Sequence, residues 1–238
     1  MKPPRPKPSV SVLGYGDLGS SILFIFPLFL LYGVGVLFSP GMNGVDFVSR
    51  NLFAAVGNDR SIYLLIHVGM AVAFLVALAF LRARKIFDPK KFLPMVLEAG
   101  IYALTLGTLI IFLMQRVLHI DPKLATGGGG VGTSIVLSLG AGVYEELVFR
   151  LGIFSGGAAL AKLMGLRLGP ALIISALVSS AVFSAAHHIG AAGDPFSIGV
   201  FVYRSLAGLI FAGIYWFRSL GHAVYAHAMY DVYVMVLS

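Results

Sequence analysis

The 238-residue chain is 58% hydrophobic and only 11% charged, and its mean hydropathy is +0.93. Soluble domains carry about 25% charged residues, so this composition predicts a protein surrounded by lipid. The chain has no cysteine, which excludes disulfides, thiolate metal ligands and a cysteine nucleophile. The bases behind the net charge of +7 are spread over short loops. They show no nucleic-acid-binding pattern, so no nucleic-acid partner is expected.

Apolar segments follow one another after a basic, proline-rich start. Residues 1–19 are predicted to form a basic cytoplasmic tail, residues 20–130 the N-terminal transmembrane helices, and residues 131–238 the C-terminal transmembrane helices. A spanning helix needs about 20 residues. The sequence therefore predicts an all-α, polytopic transmembrane bundle of seven spans, or eight if the long fourth segment is broken. The predicted spans are 20–38, 61–81, 92–116, 131–163, 168–188, 197–217 and 220–237.

Lysine and arginine residues are concentrated in alternate loops, and such loops face the cytoplasm under the positive-inside rule. The first apolar run is long and lacks a small-x-small cleavage site, so it is predicted to be an uncleaved helix. The N-terminus is then cytoplasmic, and seven spans place the C-terminus and the base-free loop 190–197 outside, whereas a broken fourth segment would reverse the side of that loop. The glycines at 127–130 are predicted to form a hinge. The cytoplasmic bases would be Lys2, Arg5, Lys7, Arg82, Arg84, Lys85, Lys90, Lys91, Lys162, Arg167 and Arg218.

Two adjacent glutamates, Glu145 and Glu146, stand inside the fourth apolar segment. A charge at bilayer depth costs roughly 2.5–3.5 kcal/mol, so this pair requires compensation or has a function. Glu146 and Arg150 are four residues apart and can form an ion pair on one helix face. Glu145 is turned by about 100° on an α-helix, which makes it the freer carboxylate and a candidate base. Alternatively, the three residues mark a helix end solvated at the membrane interface.

Histidines close the fifth apolar segment and stand in the middle of the last one. Phe183 precedes His187 by four residues, and His227 precedes Asp231 by four, so each pair shares a helix face. The alternative without a catalytic function is that the histidines of the fifth segment lie at the membrane boundary and that His227 forms a hydrogen bond between helices. A histidine and a carboxylate at mid-depth favour a functional role.

These polar residues are expected to converge. If segments four and five form an antiparallel pair, a rise of about 1.5 Å per residue places Glu145 and His187 at the same depth. The short loop that follows brings His187 close to Arg204, while His227 and Asp231 lie nearer the bilayer centre. The sequence thus predicts one site that slopes inward from His187.

Glu-Glu-x-x-x-Arg, Phe-x-x-x-His and His-x-x-x-Asp, in this order in successive C-terminal helices, resemble the CAAX protease and bacteriocin-processing family, also called the Abi family. That family includes the type II CAAX prenyl endopeptidases. The resemblance covers about residues 134–236, with a glycine-bearing helix (Gly208, Gly213) before the last motif. It implies an intramembrane endopeptidase in which a glutamate activates water, with residues 131–238 as the catalytic part.

The resemblance also implies individual roles. Glu145 would activate the water with help from His187, and His227 and Asp231 would stabilise the oxyanion. The prenyl-protease members most often have asparagine at the last position. An ionised aspartate cannot donate a hydrogen bond, so Asp231 would be protonated or would orient His227. Residues in supporting positions would be Glu146, Arg150, Phe183 and Arg204.

No cofactor is expected. The alternative mechanism is that of a zinc protease with Glu145, His187 and His227 as ligands. The usual His-Glu-x-x-His helix of such proteases is absent. Two other classes stay open: a non-proteolytic scaffold or immunity protein of the same family, and a transporter that relays protons. The expected partners are membrane lipids and a peptide or membrane-protein substrate, either prenylated or carrying a leader peptide. Size and the basic tail favour the inner (plasma) membrane of a prokaryote.

Overall fold

The computed structural model describes residues 12–14, 16–120, 130–189 and 193–237, and in these ranges it contains helices and no β-strand. The predictions for residues 1–11 and for the glycines at 127–129 lie outside the described residues. Within the described part the α-helices are α1 (Leu18–Gly35), α2 (Val48–Ala55), α3 (Arg60–Ala83), α4 (Phe92–Phe112), α5 (Val131–Gly140), α6 (Gly156–Leu163), α7 (Leu168–Ala186), α8 (Ile198–Phe217) and α9 (Leu220–Val232). The all-α prediction is confirmed for this part of the chain.

Six helical segments in the described ranges are long and apolar enough to cross a membrane. Their bounds agree with the predicted spans to within a few residues, because long apolar runs need a helix to satisfy their backbone in lipid. With their exposed leucine, isoleucine and valine side chains, they make the chain an integral membrane protein. The six are Leu18–Gly35, Arg60–Ala83, Pro89–Leu118, Val131–Leu163, Leu168–Ala186 and Ile198–Phe217.

The seventh predicted span is not one of these six. It forms α9 and a short π-helical end, Tyr233–Leu237. α9 packs against α1, α4, α5 and α8, and Ala223, Val224 and Ala226 are completely buried in it. Since most of α9 meets protein rather than lipid, the cost of carrying His227 and Asp231 is lowered.

The fourth segment, Val131–Leu163, is one continuous helix rather than two pieces. Its middle, Ala141–Ser155, is wound as a π-helix between α5 and α6, where the sequence predicts an α-helix. π-helical winding is rare and frequently occurs at functional sites. It closes each turn one residue later than an α-helix. Consecutive side chains are therefore separated by a smaller angle, and Glu145 and Glu146 both lie in this stretch.

α2, which the sequence did not predict, belongs to the connection between α1 and α3. The Tyr32 hydroxyl donates to Asp46 Oδ2 at 2.8 Å, and the Ser49 N–H donates to Asp46 Oδ1 at 2.8 Å. The hydroxyls of Ser49 and Tyr144 lie 3.1 Å apart. The connection 36–59 is therefore tied both to α1 and to the π-helical segment.

At the end of the bundle opposite the connection 36–59, Glu98 on α4 binds residues at the start of α9. Arg218, between α8 and α9, places Nε and Nη2 each 2.6 Å from a different Glu98 oxygen, and His222 Nε2 lies 3.5 Å from Glu98 Oε2. The hydrogen bond to Glu98 raises the pKa of Arg218 above its usual value. α4 is thereby joined to the start of α9 at the end of the bundle that carries predicted cytoplasmic bases.

Gly142 gives a test of the contact between the π-helical segment and α9. A Cβ atom at Gly142 would lie 2.7 Å from both Val224 O and Ala228 Cβ, whereas one at Gly156, on the same helix, would have nothing within 4 Å. Overpacking of this kind costs about 1–3 kcal/mol, so Gly142→Ala is expected to lower the Tm by roughly 2–12 °C. Gly156→Ala is expected to raise it slightly through helix propensity. Thermal unfolding in detergent measures both, and equal Tm values would contradict the close approach.

Candidate active site

The first motif is buried in the bundle rather than solvated at a helix end. Glu145 is 6% exposed, and Glu146 and Arg150 are 0% exposed. Arg150 Nε lies 3.1 Å from Glu146 Oε2, and the guanidinium lies over the rings of Phe183 and Phe211 at 4.7 and 5.8 Å from their centroids. A carboxylate and two aromatic faces thus surround the buried cation, which offsets part of its desolvation.

Both glutamates reach α9, although α-helical spacing turns them about 100° apart. His227 Nδ1 lies 2.8 Å from Glu146 Oε1, and His227 Nε2 lies 3.9 Å from Glu145 Oε2. The π-helical winding explains the difference, because it reduces the angle between neighbouring residues. One imidazole on α9 therefore bridges two consecutive carboxylates.

His187 and Asp231 complete the cluster around Glu145. His187 Nε2 lies 3.6 Å from Glu145 Oε2, and His227 Nε2 lies 3.6 Å from Asp231 Oδ2. His187 Nδ1 faces the carbonyl of Phe183 at 2.9 Å. That contact requires a proton on Nδ1 and leaves Nε2 of the neutral ring as an acceptor. The His187 and Asp231 side chains are 27% and 24% exposed, so the cluster opens on their side.

Phe183 and Arg204 lie at the edges of this cluster. The Phe183 ring packs edge-on against His187 and His227, with centroids 4.9 and 5.9 Å apart. Arg204 forms an ion pair of 2.5 Å with Asp194, whose N–H donates to the His187 carbonyl at 2.9 Å. Arg204 is therefore near His187, as predicted, through a contact with the loop that follows it.

Asn43 is a site residue that the sequence analysis missed. It lies in the connection 36–59, and its Nδ2 donates to Glu145 Oε1 at 2.8 Å. The two residues are 102 positions apart. A lone asparagine in a connection between two helices carries no signal that would pair it with a distant glutamate.

The two oxygens of Glu145 have different surroundings. Oε1 accepts the hydrogen bond from Asn43, while Oε2 is buried and accepts no hydrogen bond from any residue that the structure describes. Oε2 is also the oxygen that faces His187 and His227. A buried carboxylate oxygen with free lone pairs beside two imidazoles can accept a proton from a water molecule.

The described residues contain no group of three or more histidine, aspartate or glutamate side chains arranged to hold a metal ion. The chain is an integral membrane protein with a cluster of carboxylates and imidazoles inside its helical bundle. In membrane proteins, ionisable residues in such positions mark function.

A comparison with protein families gives a match for the C-terminal part of the chain. Residues 128–233 match the Rce1-like family, described as type II CAAX prenyl endopeptidase Rce1-like. This stretch contains all three polar motifs and confirms the resemblance that they predict. No curated protein and no solved structure has a significant match to the chain.

Arg150 gives a test of the buried charge cluster. Removing one partner of a buried ion pair costs about 3–5 kcal/mol, because the remaining charge has no compensation. Arg150→Met is therefore expected to destabilise the protein by this amount. Arg84→Met is the matched control, since exposed Arg84 lies over Phe80 at 4.9 Å; its expected effect is within about 0.5 kcal/mol.

Unfolding in a mixed-micelle denaturant titration measures both arginine variants. Combining Arg150→Met with Glu146→Gln is expected to recover part of the loss, because the second change removes the uncompensated carboxylate. A stability loss for Arg150→Met no larger than that for Arg84→Met would show that the ion pair is not required.

Proposed function

We propose that the chain is an intramembrane endopeptidase that hydrolyses a peptide bond with a water molecule activated by Glu145. One observation carries the proposal: Glu145 Oε2 is buried, lacks a hydrogen-bond partner among the described residues, and faces two imidazoles at 3.6 and 3.9 Å. The Rce1-like match of residues 128–233 supports peptide hydrolysis as the reaction.

In the first step, a water molecule between Glu145 and His187 gives a proton to Glu145 Oε2. Its oxygen then attacks the carbonyl carbon of the scissile bond. His187 Nε2, an acceptor in the tautomer fixed by the Phe183 carbonyl, holds the second hydrogen of the water. The product of this step is a tetrahedral intermediate with a negatively charged oxygen.

His227 is the proposed donor to that oxygen. Its Nδ1 faces a Glu146 carboxylate oxygen and carries a proton. A second proton on Nε2 makes it an imidazolium, which the three nearby carboxylates of Glu145, Glu146 and Asp231 stabilise. The Nε2–H can then stabilise the oxyanion. In this scheme Asp231 supports the charge on His227 and does not itself donate to the oxyanion.

The intermediate collapses when the C–N bond breaks. The proton held by Glu145 passes to the leaving amine, so the carboxylate is restored and one water is consumed for each bond cut. No side chain forms a covalent intermediate. We propose that this cycle proceeds without a metal ion.

The proposed substrate is a peptide segment of a membrane-associated protein. The cluster lies in helices of membrane length and opens at His187 and Asp231, so a substrate held at the bilayer can reach it. The type II CAAX prenyl endopeptidase family matched by residues 128–233 adds a prenylated carboxyl terminus as a substrate to assay beside leader peptides. The proposed location is the plasma membrane of a prokaryote.

Glu145→Gln tests the proposed base. A general base contributes typically 10²- to 10⁴-fold to the rate, and an amide of the same size cannot take a proton from water. The variant is expected to lose about that factor in kcat while it still folds and binds peptide. Mass spectrometry of a membrane-peptide library incubated with purified protein in liposomes measures the products. Glu98→Gln is the matched control, because Glu98 pairs with Arg218 at the opposite end.

Cleavage by wild type that persists undiminished in Glu145→Gln would overturn the proposed mechanism. Absence of cleavage by wild type, across prenylated and leader peptides that a related endopeptidase cuts, would favour a scaffold or immunity role. Glu145-dependent proton uptake into the liposomes without cleavage would favour the transporter.

Metal removal gives a separate prediction. Since Glu145 and His187 activate the water in this scheme, dialysis against a strong chelator is expected to leave kcat unchanged. Loss of cleavage on chelation, restored by added Zn²⁺, would support the zinc alternative, in which the metal lowers the pKa of its bound water.

A further inference from the structure

Asn43 presents its amide to the site in one fixed orientation. Its Oδ1 accepts a hydrogen bond from the Val45 N–H at 3.0 Å, so Nδ2 is the atom that faces Glu145 Oε1 at 2.8 Å. With the amide turned over, two oxygens would face each other across that contact, and the Val45 N–H would lose its acceptor. The side chain therefore acts as a donor to Glu145.

The backbone of Asn43 is anchored as firmly as its side chain. Its N–H donates to the Tyr32 hydroxyl at 3.0 Å, and the same hydroxyl donates to Asp46 Oδ2 at 2.8 Å. The Asp46 N–H in turn donates to the Asn43 carbonyl at 3.1 Å. Tyr32, Asn43 and Asp46 are 0%, 9% and 2% exposed. A closed, buried hydrogen-bonded ring thus holds the amide against Glu145.

We propose that Asn43 is a positioning residue for the general base. By binding Oε1 it fixes the carboxylate plane and leaves Oε2 aimed at the space between His187 and His227. The role rests on the proposed endopeptidase function, since it acts only through Glu145. Asn43 lies outside the Rce1-like match of residues 128–233. The N-terminal part of the chain therefore contributes a residue to the site.

A hydrogen bond of this kind matters because misplacing a reacting group by about 1 Å can cost 10²-fold in rate. Without the amide, the Glu145 side chain can rotate and its two oxygens become equivalent. The loss falls on the chemical step rather than on substrate binding, because Asn43 contacts the base.

The first test compares Asn43→Ala with wild type in the peptide-cleavage assay. The expected result is a kcat lower by roughly 10- to 100-fold with KM nearly unchanged. Asn51→Ala is the matched control: it removes an exposed asparagine of the same connection, whose Nδ2 donates to the Phe47 carbonyl, and it is expected to leave both constants unchanged. A proportional rise in KM, or equal effects of the two variants, would overturn the positioning role.

The second test uses Asn43→Asp, which keeps the shape and replaces the donor with a carboxylate. Glu145 otherwise faces His187 from α7, His227 and Asp231 from α9, and Arg150 from its own helix. A new carboxylate at hydrogen-bond distance would share a proton with Glu145. The acidic limb of the kcat/KM profile is therefore expected to move to higher pH. A merely structural role would lower the active fraction and leave the profile in place.

Tyr32→Phe separates positioning from misfolding. It removes the hydroxyl that holds the Asn43 backbone but keeps the ring and every direct contact of Glu145. The expected result is a smaller loss of kcat at constant KM, with a normal elution volume in detergent. No change in kcat would contradict an anchored amide. If wild type cleaves and Asn43→Ala is as active, only the positioning role fails. If wild type and all variants are inactive, the endopeptidase proposal fails and this role fails with it.

Discussion

The arrangement of the site depends on how the chain surrounds the carboxyl group of Glu146 with partners in the middle of a membrane bundle. A lone carboxylate at that depth is costly, and its partners must be supplied by other helices as well as its own. Arg150 supplies an ion pair from one turn away, and His227 on α9 supplies a hydrogen bond of 2.8 Å. The aromatic faces of Phe183 and Phe211, on α7 and α8, cover the cation. The buried pair of Glu146 and Arg150 thereby contacts side chains of three helices, α7, α8 and α9.

The contacts of Glu146 with Arg150 and His227 also determine the position of Glu145. The two glutamates are adjacent, and π-helical winding keeps them close in angle, so fixing Glu146 against His227 also sets where Glu145 points. Its Oε2 then stands between His187 and His227 without a donor from the described residues. The two carboxylates differ in their surroundings: Glu146 contacts Arg150 and His227 through different oxygens, whereas Glu145 bonds to Asn43 through Oε1 and faces two imidazoles through Oε2. In the proposed hydrolysis Glu145 accepts the proton of the water, and Glu146 supports the charge on His227.

Much of this could be predicted from sequence, and the failures have definite causes. Long apolar runs determine helices in lipid, so the spans agree closely, and the depth of Glu145 and His187 follows from counting residues along two antiparallel helices. Two features cannot be predicted by counting residues along helices. One is the π-helical winding of Ala141–Ser155, which the apolar pattern of the sequence does not distinguish from an α-helix. Asn43 reaches Glu145 only through tertiary folding, because 102 residues separate them.

The packing of other helices around α9 links the N-terminal part of the chain to the site. As the helix that carries His227 and Asp231, it could not face lipid, and it is surrounded by α1, α4, α5 and α8. The N-terminal helices are therefore more than an anchor, since α1 and α4 cover other side chains of α9, such as Tyr225, which donates to the Phe24 carbonyl and packs against Phe92. The connection between α1 and α3 then lies over the same site and delivers Asn43 to Glu145. The three motifs all fall in residues 131–238, but the connection between α1 and α3 adds Asn43 to the same cluster, so both predicted halves contribute residues to it.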